Sequence, residues 1–247
     1  MSKSSKLCRK TSCPRRNIFC NLIDKIVKRP SLQFLGQWGY HCYEPRIYRT
    51  LAKILRKGNP DFVELLLKKT KDYAQDRSCN LALIWRTFTP VYCPSPLSGI
   101  TPLLYVAQTR QSSILKILLQ YGILEREKKP INIVLTILLY PSRVRIMVDH
   151  ELVDIQEDAK TCLVLCSRVL SVISIREIEM QLSLGRRPII SNWLDYIPTT
   201  RYKDPCELLH LCRITIRAQL LTNNMLPNGI FSLLIPVRLQ NYLNLEN

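Results

Sequence analysis

The chain of 247 residues has few of the groups on which enzyme active sites usually depend. It contains only three histidines, His41, His150 and His210. No Gly-x-Ser-x-Gly nucleophile motif and no glycine-rich phosphate-binding loop occurs in the sequence. We therefore expect a non-catalytic protein that needs no cofactor.

Long hydrophobic runs and a secretory signal are also missing. The longest apolar stretch, residues 131–140, is too short for a bilayer, which requires roughly 20 residues. The first thirty residues contain no apolar signal-peptide core. The ten cysteines are scattered, several of them within apolar segments, as reduced and buried thiols are. We expect a soluble intracellular protein without a membrane partner, placed in the cytoplasm or alternatively in the nucleus.

Acidic residues are scarce relative to basic ones, so the net charge at neutral pH is +17. In residues 1–29, nine lysines and arginines accompany Asp24 alone. Such a charge suits nucleic acid, an anionic membrane surface or an acidic protein partner. A basic, acid-poor start also resembles a transit peptide. We interpret residues 1–45 as a solvated basic extension with a short helix at residues 17–28.

Several cysteines of this extension lie near a histidine. Their spacing lacks the paired pattern of zinc fingers, so we predict no metal site. The residues concerned are Cys8, Cys13, Cys20, Cys42 and His41.

Residues 46–130 have the pattern of helical hairpins. A turn at Gly58-Asn59 precedes a helix with Pro60 in its first turn, where proline is tolerated. Farther along, Thr101 can cap a helix whose first residue is Pro102. Gly122 follows the next helix, where a left-handed residue is favoured.

The segment "GITPLLYVAQTRQSSILKILLQYG", residues 99–122, resembles an ankyrin repeat, whose consensus starts Gly-x-Thr-Pro-Leu-His and ends Leu-Leu-x-x-Gly. An ordinary helical hairpin is the alternative. Leu104 replaces the usual histidine. The pairs Leu65-Leu66 and Leu118-Leu119 are 53 residues apart instead of ~33, which indicates an insertion or a degenerate unit between them. The matching residues are Gly99, Thr101, Pro102, Leu118, Leu119 and Gly122.

Residues 131–200 continue as helices with weak repeat signals. "EDAKTCLVLCSRVLSVIS" predicts an apolar helix, and "IREIEMQLSLGRR" a helix that ends at Gly185. We interpret this part as degenerate helical repeats that cap the array.

The chain then contains "DPCELLHLCRITIRAQLL", which predicts a helix with Asp204 as N-cap and Glu207 completing a capping box. Leu208, Cys212 and Ile216 recur at i, i+4 and i+8 and share one stripe. We expect Arg213 and Arg217 on a polar edge. The apolar surface is wider than a solvent-facing helix needs, so we expect burial on two sides, partly by a partner.

Cys212 could be a nucleophile, a metal ligand, half of a disulfide or a packing residue. His210 is two residues away and points to another side of the helix, so the two cannot form a nucleophile–base pair within it. A small apolar group that allows close packing is the interpretation we prefer.

The pattern of Leu208, Cys212 and Ile216 followed by a Pro-x-x-Leu-x-x-Tyr-Leu segment resembles a SOCS box. Together with the ankyrin-like part, the layout resembles the ankyrin repeat and SOCS box family. The resemblance implies an all-α fold, with a partly degenerate ankyrin-like helical repeat array followed by a three-helix SOCS box at residues 201–247.

The resemblance also implies a function. Leu208, Cys212 and Ile216 would bind elongin C, which associates with elongin B, and the trailing segment would recruit cullin-5 with a RING protein. The chain would then be the substrate adaptor of a ubiquitin ligase, promoting ubiquitination and degradation of an unidentified target protein in intracellular signalling. The residues assigned to cullin binding are Ile235, Pro236, Leu239, Tyr242 and Leu243.

Three departures from the family pattern are visible. Glu207 stands where serine, threonine or proline is usual, and Leu234 replaces a proline, which affects cullin choice most. The direct join of residues 51–56 to residues 57–62 suggests that part of an N-terminal repeat is missing. The alternative functions are a basic helical-repeat module that binds protein or nucleic acid without recruiting a ligase, and a last helix buried by its own domain alone.

Overall fold

The computed structural model describes residues 54–55, 57–76, 101–139 and 149–246. Within these ranges the secondary structure is helical, and the only strand-like pairing there is an isolated antiparallel bridge between Leu139 and Pro188. The predicted all-α class is confirmed. The eight α-helices of the described ranges are α1 (Pro60–Asp76), α2 (Pro102–Thr109), α3 (Ser112–Gln120), α4 (Ile131–Leu138), α5 (Asp149–Ser167), α6 (Ile175–Ser183), α7 (Leu208–Thr222) and α8 (Val237–Leu243).

The hairpin of α2 and α3 forms where local signals predict it. The Thr101 hydroxyl accepts a hydrogen bond from the Leu104 amide at 3.1 Å, and Pro102 occupies the first turn. At the other end of α2, Arg110 adopts a left-handed conformation with φ of 52°. Its side chain donates to the carbonyls of Ile137 and Leu139 at 3.0 and 2.9 Å, which ties the hairpin to the end of α4.

The core of the molecule lies around α3. Leu115, Leu118 and Leu119 are fully buried there, among apolar side chains of α1, α2, α4 and α5. From α5, Cys162 and Cys166 enter the same core as free thiols. Burial raises the pKa of Cys162 to about 12 and raises that of Cys166 further, so both stay protonated and act as small apolar groups.

Glycines end two helices as predicted. Gly122, after α3, has φ of +73°, and Gly185, after α6, has φ of +79°. Glycine adopts this left-handed region without the steric penalty of a Cβ atom.

Several predictions fall outside the described ranges. They concern the extension at residues 1–45, its helix at 17–28, the four cysteines with His41, and Gly99 of the ankyrin-like motif. The proposed borders at residues 45, 130 and 200 likewise stay predictions.

Candidate protein-binding site on the C-terminal helix

Helix α7 starts three residues later than predicted. It begins at Leu208 with Glu207 as N-cap, and the Glu207 side chain makes no capping bond. The carboxylate instead accepts from the Arg201 guanidinium at 2.7 Å and from the Thr200 hydroxyl at 2.9 Å. The capping box with Asp204 was therefore wrong, because Arg201 binds the Glu207 carboxylate. The hydrogen bond from Arg201 lowers the pKa of Glu207 to about 2.

The inner face of α7 is polar. Its buried residues are His210, Arg213, Arg217 and Leu220, at the spacing i, i+3, i+7 and i+10 of one helix stripe. The prediction that Arg213 and Arg217 lie on a polar edge was wrong, since these side chains are only 4% and 1% exposed. Buried guanidinium groups require partners, and both arginines have them, although Arg213 Nε makes no hydrogen bond within the described part of the chain.

Arg217 is bound by three separate parts of the chain. Its Nε donates to Glu125 Oε1 at 2.9 Å and its Nη1 to the Leu243 carbonyl at 3.0 Å. Its Nη2 donates to the Leu119 carbonyl and also to Glu125. These partners stand at the end of α3, in the 3-10 turn Leu124–Arg126 and at the end of α8.

His210 and Arg213 form a second polar chain along the same face. His210 Nε2 lies 3.1 Å from the Leu170 carbonyl, and Arg213 Nη2 lies 2.6 Å from His210 Nδ1. Since a carbonyl only accepts and a guanidinium only donates, these contacts assign the neutral tautomer protonated at Nε2. Burial lowers the pKa of His210 to about 4, with the positive charges of Arg201 and Arg213 adding to the effect.

Arg213 also contacts α8, since its guanidinium carbon lies 4.1 Å from the centre of the Tyr242 ring. Burial lowers the pKa of Arg213 to about 10, so the group remains a cation at neutral pH. The chain from Leu170 through His210 and Arg213 to Tyr242 joins the segment after α5 to α7 and α8.

The outer face of α7 is apolar and open to solvent. Leu208 is 77% exposed, Leu209 55% and Leu211 42%, and Cys212 is exposed beside them. These four side chains are called the outer patch below. Their exposure contradicts the alternative of a last helix buried by its own domain alone.

The three residues predicted to bind elongin C do not share one environment. Leu208 and Cys212 lie together in the outer patch, whereas Ile216 is half-buried against the small apolar cluster of Leu220, Leu226, Ile230 and Leu243. Positions i, i+4 and i+8 drift around a helix, because two steps of four residues exceed two full turns. The stripe therefore passes from the surface into the interior.

The segment after α7 contains a 3-10 helix at Asn228–Ser232 and then the short α8, so the middle one of the three helices predicted for the SOCS box is a 3-10 helix. Of the residues assigned to cullin binding, Pro236 is an exposed N-cap and Leu239 is partly exposed. Ile235 packs on the small cluster, Tyr242 lies against Arg213, and Leu243 is buried.

The most exposed apolar side chain near α8 is Leu234, which is fully accessible, followed by Val237 and Phe231. The residues predicted to bind cullin did not include Val237 or Phe231. Their exposure follows from the tertiary structure, so the sequence alone carried no signal for it.

Sequence reasoning also missed the network around Arg217. The spacing of His210, Arg213 and Arg217 on one stripe was visible in the sequence and could have indicated a buried polar face. Glu125 could not have been found in this way, because it precedes Arg217 by 92 residues.

The described residues contain neither a membrane-spanning helix nor a cluster of metal-ligating side chains. No helix in those ranges is long and apolar enough to cross a membrane. Within the same ranges, no group of three or more histidine, cysteine, aspartate or glutamate residues is placed to hold a metal ion.

Comparison with known proteins identifies the C-terminal part. The family described as SOCS box matches residues 204–244. No solved structure gives a significant match.

Relatives named ankyrin repeat and SOCS box protein 17 match the whole chain. Those of Canis lupus familiaris, Mus musculus and Homo sapiens are 79%, 76% and 75% identical, and each alignment covers 100% of both proteins. The first two alignments span 295 positions and the chain has 247 residues, so 48 positions hold no residue of this chain. A missing segment was expected, and its location at residue 56 stays a prediction. With such identity over its full length, the chain belongs to the ankyrin repeat and SOCS box protein family.

Proposed function

We propose that the protein is a non-catalytic substrate adaptor of an elongin B/C–cullin-5–RING ubiquitin ligase, and that the outer patch of α7 binds elongin C. The SOCS box and the family support the general role of a ubiquitin ligase adaptor. The observation that carries the finer proposal is the orientation of α7, with arginines inside and leucines outside.

This orientation is costly for the isolated chain. Burying a leucine side chain stabilises a protein by about 1.5–3 kcal/mol, whereas a buried charge requires a full set of partners. Leu208, Leu209 and Leu211 contribute little of that stabilisation while they face water. A protein partner that covers the outer patch recovers it, which is why we assign this face to elongin C.

Cys212 acts in this proposal as a packing residue. His210, the nearest histidine in sequence, lies on the opposite, buried face, and both of its ring nitrogens are engaged by Leu170 and Arg213. No histidine base is therefore available to the thiol within α7, which argues against a nucleophile. A small side chain between exposed leucines allows a partner helix to approach closely.

The cullin contact is proposed for the segment around α8. Leu234 and Leu239 are exposed there and can meet a partner, together with Pro236. Tyr242 and Leu243 would contribute indirectly, because they hold α8 against α7. We assign cullin-5 with its RING protein to this surface.

The ankyrin-like part would bind the target protein, which is then ubiquitinated and degraded. The adaptor supplies no chemistry of its own; it brings the target and the ubiquitin-charged enzyme together, and such proximity alone accelerates a reaction. An intracellular location in the cytoplasm or nucleus belongs to the same proposal.

The decisive experiment is co-expression of the full chain with elongin B and elongin C. The double variant Leu208→Ala, Cys212→Ala should lose at least about 100-fold in affinity, since central anchors of an interface contribute about 2 kcal/mol or more. Its unfolding temperature should stay unchanged, because both side chains are exposed. The matched control is Gln219→Ala, an exposed polar residue of the same helix. Undiminished binding by the double variant would refute the proposal.

The net charge of +17 favours a second candidate, a basic module that binds protein or nucleic acid without a ligase. Binding to nucleic acid would weaken steeply as salt concentration rises, because counterions are released from the phosphates. A salt titration of the chain on duplex and single-stranded DNA, alongside the elongin experiment, distinguishes the two functions.

A further inference from the structure

We propose that Arg217 is the positioning residue that fixes α7 and α8 relative to the ankyrin-like hairpin of α2 and α3. Its consequence for ubiquitin transfer rests on the proposed function, whereas the positioning itself is a property of the chain alone.

The shape of the guanidinium group is the first argument. Arg217 donates to Glu125 in the turn after α3, to the Leu119 carbonyl at the end of α3 and to the Leu243 carbonyl at the end of α8. A guanidinium is planar and has five donors in fixed directions, so three acceptors bound to it cannot move independently. One side chain of α7 thereby sets the orientation of two other elements.

The burial of this network is the second argument. Arg217 is 1% exposed and the Glu125 side chain 16%. A charge in such a place is costly unless its partners stay in position, so displacement of α7 from the hairpin would leave both charges poorly solvated. The network therefore opposes sliding of α7 along the hairpin as well as its separation from the hairpin.

The surroundings of Arg217 show that the two parts meet closely. Gln120 Nε2 donates to the Asn244 carbonyl at 2.9 Å, and Arg126 Nη2 donates to Asn224 Oδ1 at 3.1 Å. A Cβ atom on Gly122 would lie 2.5 Å from Cδ1 of Leu221. Gly122 therefore packs directly against the Leu221 side chain of α7, which would have to move to make room for a Cβ atom.

Arg217 acts through position and not through contact with the partner. Its side chain lies on the inner face of α7, opposite the outer patch. In the ligase, the hairpin belongs to the part that carries the target and α7 to the part that carries the enzyme. A fixed angle between these parts is what a proximity mechanism requires.

The test measures the distance between the two parts in the full chain, with and without elongin B/C. Donor and acceptor dyes are attached through genetically encoded amino acids at Ser113 of α3 and Arg238 of α8, which are both exposed. This chemistry avoids the ten cysteines. The readout is the single-molecule energy-transfer distribution, which a change in stability alone does not move while the protein is folded.

In the variant Arg217→Met we expect a broader distribution shifted to a longer distance. The affinity for elongin B/C should stay within about threefold, because the outer patch is intact and distant effects add little. Gln219→Ala, on the same helix, should leave the distribution as in the unmodified chain. A distribution for Arg217→Met identical to that of the unmodified chain would overturn the proposal.

Glu125→Ala keeps the test decisive if Arg217→Met does not fold. This variant removes one of the three acceptors of Arg217 and leaves the carbonyls of Leu119 and Leu243, so a smaller broadening is expected, and an unchanged distribution again overturns the proposal. Failure of the unmodified chain to bind elongin B/C would overturn the proposed function instead, while the distances in the free chain would still decide the role of Arg217.

Discussion

Helices α3 and α7, which meet through Arg217 and the Leu119 carbonyl, bury opposite kinds of side chain. The inner face of α3 consists of Ile114, Leu115, Leu118 and Leu119, whereas that of α7 contains two arginines and a histidine. The first helix stabilises the fold by apolar burial. The second places its apolar residues outside, where a partner can bury them.

The difference shows what a polar inner face contributes. Apolar packing has little directionality, whereas a buried guanidinium holds its partners at defined angles. Helix α7 therefore gains a defined orientation from its inner face, and its outer face remains available for binding.

The largest effect on the free energy of unfolding is expected when the inner face of α7 loses the charge of Arg217. Arg217→Met should lower the free energy of unfolding by about 3–5 kcal/mol, the usual cost of leaving half of a buried ion pair without its partner. Urea denaturation of the full chain measures this value. The control Gln219→Ala should change it by less than about 0.5 kcal/mol. A loss as small as that of the control would mean that α7 does not depend on its polar face.

Lowering the pH should reduce the contribution of the inner face of α7 to the free energy of unfolding and leave the contribution of the inner face of α3 unchanged. The pKa of folded His210, about 4, lies below the ordinary value of 6.5, so the neutral form stabilises the fold above pH 6.5 and this contribution is lost as the pH falls towards 4. Between pH 7 and pH 5 the loss should be about 2 kcal/mol.

Urea denaturation at the two pH values gives the measurement, and His210→Gln should remove most of the dependence. Glu207 does not affect stability between pH 7 and pH 5. Its pKa is lowered to about 2, so its contribution to the free energy of unfolding is lost only as the pH falls below 4.5. Equal pH dependence in the chain with and without His210 would contradict the assignment.

The close approach of α7 to the end of α3 can be tested at Gly122. Gly122→Ala combines a strained backbone at φ of +73° with a clash against Leu221, so we expect a loss of about 1–3 kcal/mol from the clash in addition to the strain.

Gly185→Ala is the matched control, because φ there is +79° and no atom lies within 4 Å of the added Cβ. It should show the strain alone, about 1–2 kcal/mol. Thermal and urea unfolding of the two variants give the comparison, and equal losses would exclude a tight contact at Gly122.

The smallest effect on folding is expected on the outer face of α7. Leu211→Ala should change the free energy of unfolding by less than about 0.5 kcal/mol, although Leu118→Ala in α3 should cost about 2–5 kcal/mol. The same Leu211 variant should weaken elongin B/C binding measurably. Denaturation and binding assays on both variants test the contrast, and a Leu211 variant as unstable as the Leu118 variant would refute it.

Local chemistry allowed much of the fold to be predicted. Thr101 and Pro102 start α2, and Gly122 and Gly185 follow α3 and α6, because capping depends on residues that are adjacent in the chain. The same reasoning failed at Asp204 and Glu207. There the buried Arg201 side chain binds the Glu207 carboxylate, and a competing tertiary contact cannot be seen in a local pattern.

The sequence by itself determined that α7 is a helix and that Leu208 and Cys212 share a stripe, since both follow from helix periodicity. Only the tertiary structure decided which face of α7 points inward. The acceptors that bury Arg217 on that face, Glu125 and the Leu119 carbonyl, precede it by 92 and 98 residues. A charged side chain is buried at low cost only where the fold supplies its partners, so these distant acceptors turn the arginine face of α7 inward. The leucines on the opposite face are therefore left outside, which helix periodicity alone could not predict.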